Sequence, residues 1–273
     1  MNEEKFFNIN TVLKNVFHSL DQNCHGKTPN LVFTFSKTVP CQMKGDVSTL
    51  YKLLFKTLRE IIHNECSTEI LLSIDAPEEF LYKETVSFKI GNIPVKEERI
   101  MSILQEILSK DMERLDASIA FSQENGGSIE ITVPLTTAEL GCRRHYRLPS
   151  RSMLNKNILL VIEGNSLALS LTKMFKYFPM NVDVCIHRYK EKYDLAAYDL
   201  VLIEEALLDI ELHAFMRQAL MKSDVAFVLL GNGDVYKEGD SSKLHTAYLE
   251  KPVTQESIYK LLLELYDDLP ELI

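Results

Sequence analysis

The stretch Tyr198–Asp209, "YDLVLIEEALLD", decides the fold. Leu200-Val201-Leu202-Ile203 is a short unbroken apolar run, and it stops at two acids, Glu204-Glu205. A run of this kind bounded by turn signals reads as a strand covered on both faces, the habit of parallel sheets. Similar runs flank it. Strands are expected at Asn157–Ile162, Val182–His187, Asp199–Glu204, Ala226–Gly231 and Ala247–Glu250, and helices at Ser166–Phe178, Asp209–Met221 and Gln255–Tyr266. The polar segment Asp234–Leu244 lacks a clear helical pattern. Strand and helix alternate, which predicts an α/β doubly wound, five-stranded parallel sheet over 155–273 with right-handed crossovers. Such sheets place their working site beyond the carboxyl ends of the strands. Glu163, Glu204, Gly231 and Lys251 are thereby expected at one edge.

The first half has another rhythm. Ile9, Val12, Leu13, Val16, Phe17 and Leu20 recur at helical spacing behind Asn8, a natural N-cap. "LVFTFS" (31–36) alternates as a strand does, and Asp46 can cap a helix carrying Val47, Leu50, Leu54, Leu58 and Ile61 on one face. Strands follow at Glu69–Asp75 and Thr85–Ile90, then a helix over Lys96–Lys110. Ala117–Leu135 reads as a hairpin turning at Asn125-Gly126-Gly127. The order helix, strand, helix, strands, helix, hairpin predicts an α+β two-layer sandwich, with helices on one face of an antiparallel or mixed sheet. The domains expected are 1–138, a basic linker at 139–154 carrying Arg143, Arg144, His145, Arg147 and Arg151, and 155–273.

With 273 residues, 46% hydrophobic and 25% charged, the chain can build two cores. A net charge of -9 argues against nucleic acid as the main partner, since phosphate backbones need a basic face. The five cysteines are scattered without a CxxC pair, so neither zinc nor a disulfide framework is expected. The amino terminus is charged, and no apolar run is long enough to cross a bilayer, so a cytoplasmic protein without membrane insertion is expected. His63 and His145 have no carboxylate or Cys at ligand spacing that would make a site, and GxSxG and HExxH are absent.

Residues 155–273 resemble the receiver domain of two-component response regulators. "NILLVIEGNSLALSLTKMFKYF" is similar to the receiver's first strand and helix, "YDLVLIE" to its third strand, "DVAFVLLGN" to its fourth, and "AYLEKPVTQESIYKLLLELY" to its fifth strand and last helix. The resemblance implies a phosphoryl site: acids after the first strand holding magnesium, an accepting Asp, a hydroxyl and a Lys. Here the acid pair falls on Ile162-Glu163, the acceptor on Glu204, and the hydroxyl on Gly231, or Leu230 in a lineup shifted by one. Lys251, followed by Pro252, matches. Glu163 and Glu204 are the remaining candidate metal ligands. A displacement of about 1 Å at a reacting centre can cost ~10²-fold in rate, so the changes imply a pseudo-receiver. Glu204 then either mimics a phosphorylated Asp by reaching Lys251, or simply pairs with Lys251 and stabilises the sheet edge. The face implied for partners contains Tyr248, Gln255, Tyr259 and Leu263.

Residues 6–136 resemble the ATP-binding domain of histidine kinases. "FFNINTVLKNVFHSL", "GDVSTLYKLLFKTLREII", "TVSFKIGN" and "NGGSIEITVPL" are similar to its opening helix, Asn-box helix, adenine-binding strand and closing strand. The box Asn falls on Glu60, with Lys56 a turn before it, and the adenine-binding Asp falls on Asn92. No glycine occurs between Gly91 and Gly126, where the family's lid wraps phosphates with backbone amides; "NIPVKEERI" and "SKDMERLDA" stand there instead. A phospho-accepting His helix is not evident, and His18 reads as an ordinary helix residue. The resemblances together imply a hybrid-kinase architecture without its chemistry, signalling to other two-component or chemotaxis-type proteins, with no cofactor expected. The alternative is a histidine kinase fragment that binds ATP and magnesium through Glu60 and phosphorylates a His on another chain. A homodimer through the last helix, or a purely structural role, is also compatible with the sequence.

Overall fold

The computed structural model describes residues 5–24, 30–36, 38–64, 69–77, 83–93, 97–123, 127–137, 153–187, 189, 192–231 and 247–266. Two compact units divide the chain at 145/146. Among the described residues no helix is long and apolar enough to cross a membrane.

The first unit contains β1 (Lys5–Asn8), α1 (Ile9–Cys24), β2 (Asn30–Phe35), β3 (Gln42–Gly45), α2 (Val47–Asn64), β4 (Glu69–Asp75), β5 (Lys83–Gly91), α3 (Glu97–Leu115), β6 (Ser118–Ser122) and β7 (Ser128–Thr137). The strands run β1-β3-β7-β5-β4-β2, with β6 also on β7. Among the described residues of this unit, β2 and β4 pair in parallel and the other pairings are antiparallel. Ile70, Leu72 and Ile74 of β4, Val86, Phe88 and Ile90 of β5, and Ile129, Ile131 and Val133 of β7 are buried, with half-exposed or exposed residues between them. That alternation gives the sheet one apolar face. Against it lie the apolar stripes of α1 (Val12, Leu13, Val16, Leu20), α2 (Leu50, Leu54, Leu58, Ile61) and α3 (Ile100, Leu104, Leu108). Each fully buried aliphatic contributes about 1.5–3 kcal/mol relative to exposure.

Both expected caps form. Asn8 Oδ1 accepts from the Asn10 N–H at 2.8 Å, and Asp46 Oδ1 from the Thr49 N–H at 3.1 Å. Gly127 has φ of +84°, and a β-carbon there would collide with the Ile93 carbonyl. Asn125 and Gly126 of the expected turn lie outside the described residues. The third helix extends past the expected Lys110 to Leu115. The four-residue strands β1 and β3, which pair with each other, are additions to the expected set. β3 and β6 share one edge of β7 and leave 133–135 unpaired there. Pro134, which has no N–H to lose, occupies that gap.

The second unit contains β8 (Asn157–Ile162), α4 (Asn165–Lys176), β9 (Asn181–Ile186), β10 (Leu200–Glu204), α5 (Ile210–Leu220), β11 (Ala226–Gly231), β12 (Ala247–Glu250) and α6 (Gln255–Tyr266). The sheet is parallel throughout in the order β12-β11-β10-β8-β9. Leu200 to Glu204 are all buried, as the unbroken apolar run requires. Between β9 and β10 the described backbone carries only a 3-10 turn at Leu195–Ala197. Tyr189, Tyr193 and Tyr198 pack there against the core of Val161, Val201, Phe227 and Leu229. The Tyr193 hydroxyl donates to the Val184 carbonyl at 3.0 Å, and the Tyr198 hydroxyl to Asp183 at 2.9 Å. Partial burial, then Asp183, pushes the Tyr198 phenol well above its ordinary pKa. The segment Asp234–Leu244 lies outside the described residues.

Candidate functional site

The last residue of β10 leaves its carboxylate inside the protein: the Glu204 side chain is 7% exposed. The neighbouring strand ends supply its partners. Lys251, just after β12, is fixed to the end of β11 by its own N–H, which donates to the Gly231 carbonyl at 2.8 Å. From there Lys251 Nζ donates to Glu204 Oε1 at 2.5 Å. The Glu163 N–H, just past β8, donates to Glu204 Oε2 at 2.8 Å. One carboxylate thus ties together the residues following β8 and β12, with two charge-assisted hydrogen bonds. Sequence reasoning brought Glu163, Glu204, Gly231 and Lys251 to this edge, and all four meet here. Their roles differ from a common catalytic set: Glu163 and Gly231 engage through backbone atoms, and the Glu163 residue is exposed.

Glu205 was not singled out from the sequence, yet it completes the edge. Its Oε2 accepts from the Tyr248 hydroxyl at 3.3 Å, while Oε1 is buried with no partner among the described residues. A β-carbon on Gly231 would collide with both the Glu205 carboxylate and the Tyr248 hydroxyl. The signal that could have revealed this is the glycine itself, closing a strand of large apolar residues, next to a second acid that no other assignment used.

Magnesium takes about six oxygen ligands in near-octahedral order. Both Glu204 oxygens are already engaged, one by an ammonium cation. Among the described residues no three His, Cys, Asp or Glu side chains gather as metal ligands. The volume above Gly231, where a phosphoryl-binding hydroxyl would stand, holds Glu205 and Tyr248. This donor set does not suit magnesium.

In the first unit, Glu60 Oε1 accepts from Arg59 at 3.0 Å, and Asn92 is an exposed residue with φ of +63° just past β5. β5 ends at Gly91 and α3 begins at Glu97, and no glycine lies between them. α3 packs on α2, tied by Lys56 Nζ donating to Asp111 at 2.6 Å and Arg114 Nε donating to Asp46 at 2.7 Å. Asp46 itself covers the amino end of α2, accepting from the Thr49 N–H and hydroxyl. A separate cavity of about 550 Å3 opens beside the β7 gap, lined by Lys44, Lys83, Arg114 and Asp116 among others; neither Glu60 nor Asn92 lines it.

The expected docking face needs correction. Gln255 is buried at 7% exposure and its amide donates to the Met174 carbonyl at 3.0 Å. Tyr259 stacks on Phe178 at 5.8 Å between ring centroids. These two join α6 to the α4 side of the unit, because their long side chains span to that helix and the turn after it. Tyr248 and Leu263 are half-buried.

No protein-family model and no curated protein sequence matches the chain. Solved structures do. Full-length ShkA, solved in complex with AMPPNP, is 16% identical with a TM-score of 0.69, over 99% of this chain and 58% of that one. The chain therefore spans less than two thirds of that relative's length. The catalytic domain of histidine kinase ThkA is 14% identical over 49% of this chain and 96% of that one, with a TM-score of 0.39. A CheY-like receiver domain from Methylobacillus flagellatus is 18% identical over 41% of this chain and 98% of that one, with a TM-score of 0.33. The chain has a histidine-kinase ATPase-like fold followed by a receiver-like fold.

Proposed function

We propose that this is a two-component-type signalling protein whose two units act through protein–protein contact and transfer no phosphoryl group. The observation that carries the reading is the buried Glu204 carboxylate, with both oxygens occupied by Lys251 Nζ and the Glu163 N–H. Here the groups that would stabilise an incoming phosphoryl charge stabilise a resident carboxylate instead. The negative charge facing Lys251 is built into the chain, so the receiver-like unit holds one signalling state without a chemical trigger. The first unit supports the same reading, because Lys56–Asp111 and Arg114–Asp46 join α2 directly to α3. Neither magnesium nor ATP is required, and the partners are other two-component or chemotaxis-type proteins.

The test combines chemistry and binding. Incubation with acetyl phosphate and magnesium is expected to leave Glu204 unmodified by mass spectrometry, and calorimetry to give no ATP affinity tighter than about 1 mM. Affinity capture is expected to return histidine kinases or receivers, with capture weakened by Glu204→Gln, which removes the charge, and by Glu204→Asp, which shortens its reach. A magnesium-dependent acyl phosphate would falsify the proposal. Equal capture by all three proteins would remove the role given to the Glu204 charge.

A further inference from the structure

The cavity beside the β7 gap follows from how three elements meet. α3 stops at Leu115, where Asp116 takes a left-handed φ of +53° and the Ala117 N–H returns to the Met112 carbonyl at 2.9 Å. β6 then begins its pairing at Ser118 with Thr132, while β3 reaches β7 at Met43 with Thr137 and Lys44 with Thr136. Pro134 and Leu135 line the opening left between them. Beside that opening the register sets one row. Thr136 is the partner of Lys44 on one side and of Lys83 on the other, so the three side chains leave the same face of the sheet, opposite the buried Met43 and Leu135. Neighbouring strands lie about 4.8 Å apart, which puts the α-carbons of the two lysines about 10 Å apart with Thr136 between them.

We propose that this cavity binds a phosphate monoester, its dianion seated over Thr136 between Lys44 and Lys83. Each ammonium brings three donors and no acceptor, and the threonine hydroxyl adds another donor. Charge-assisted hydrogen bonds of this kind are the strong ones for a phosphoryl oxygen, and an anion in the middle of the row is attracted from both sides. The rest of the lining suits an organic group. Arg114 and Asp46 neutralise each other at 2.7 Å, and Asp46 also caps α2. The exposed Asp116 offers carboxylate oxygens to ligand hydroxyls. Phe6, the cross-strand partner of Lys44, is 68% exposed and continues the row with an apolar ring. The volume of about 550 Å3 falls within the 300–1,000 Å3 typical of small-molecule sites and far exceeds what a bare phosphate fills. Neither Glu60 nor Asn92 takes part, and the lysines supply the counter-charge without magnesium. The site stands independently of the signalling role proposed above.

Isothermal titration of the full chain with glucose 6-phosphate, AMP and inorganic phosphate, with and without magnesium, tests the site. A monoester is expected to bind with a dissociation constant below about 1 mM and without dependence on magnesium; the two esters separate a sugar phosphate from a nucleotide. Inorganic phosphate, lacking the organic contacts, is expected to bind about tenfold more weakly. Lys44→Met and Lys83→Met are each expected to weaken monoester binding about tenfold, the loss of one charge-assisted hydrogen bond. Lys89→Met removes the same charge from an exposed position of β5 outside the cavity and is expected to bind as the parent does. Thr136→Glu sets a carboxylate between the lysines and is expected to abolish binding with an unchanged circular dichroism spectrum, which keeps the site testable should a lysine variant fold poorly. Equal weakening by Lys89→Met and Lys83→Met reduces the effect to net charge and overturns the inference. Equal affinity for inorganic phosphate, magnesium-dependent binding indifferent to Lys83→Met, or no binding of any of the three compounds overturns it as well.

Discussion

The Glu204–Lys251 pair sits where burial changes the value of a charge. An exposed ion pair contributes about 0–1 kcal/mol, but these side chains are 7% and 17% exposed. Removing one member of such a pair leaves an uncompensated buried charge, at a cost of about 3–5 kcal/mol. Lys251→Met is therefore expected to destabilise the second unit by about that amount in urea unfolding. Adding Glu204→Gln should recover most of the loss, since glutamine keeps an acceptor for the Glu163 N–H. A single-variant cost near that of an exposed pair would show that water reaches the site. Lys251 and Glu204 were legible in the sequence because strand-end positions follow from the alternation pattern. Glu205 was not, since neighbouring acids look equivalent until the backbone turns one towards β8 and the other across β11.

Strands announce themselves when they are long and apolar. β10 and β11 declare themselves by unbroken burial, and β4 and β7 by alternation. β1 and β3 hold four residues each, too few for a period to emerge, and they exist because each edge is completed by the other. The connection from β9 to β10 is likewise tertiary in origin: tyrosines cover the sheet face, and their hydroxyls are satisfied by a carbonyl and a carboxylate that no local pattern specifies. The start of β10 is tied to that of β8 through Asp199, which accepts from Lys156 Nζ and from the Asn157 N–H, each at 2.8 Å. Burial opposes its charge, but the Lys156 hydrogen bond, the Asn157 N–H and the Lys156 cation together hold the carboxyl below its ordinary pKa. A folded pKa below the unfolded value means the stabilisation is complete above the unfolded pKa of about 3.9 and disappears as pH falls through the folded one. Asp199→Asn should thus cost roughly 1 kcal/mol at pH 7, reduced by the partial solvent screening of the pair. The gap from the parent protein should close as the medium is acidified below the ordinary aspartate range. A gap independent of pH in urea titrations would assign the effect to hydrogen-bond geometry rather than charge.

Each unit buries a core of its own, built on opposite principles. The first covers one face of a mostly antiparallel sheet with α1, α2 and α3; the second covers both faces of a parallel sheet. The change of fold class was readable from element order, because strict alternation of strand and helix begins only in the second half. What composition could not convey is which contacts each unit makes at its candidate site: salt bridges between α3 and the α2 region in one unit, and two braced glutamates in the other. Separate cores imply separate cooperativity. Leu58 and Val201 are each fully buried, one in each unit. Leu58→Ala is expected to cost about 2–5 kcal/mol and to lower only one of two transitions seen by calorimetry. Val201→Ala should lower only the other, by a smaller amount set by its fewer lost carbons. Hydrogen exchange on the same variants assigns each transition, since faster exchange should appear in α2 and β5 for the first and in β8 and β11 for the second. If either substitution moved both transitions together, the units would fold as one body, and a signal received at one core could be felt at the other through stability alone.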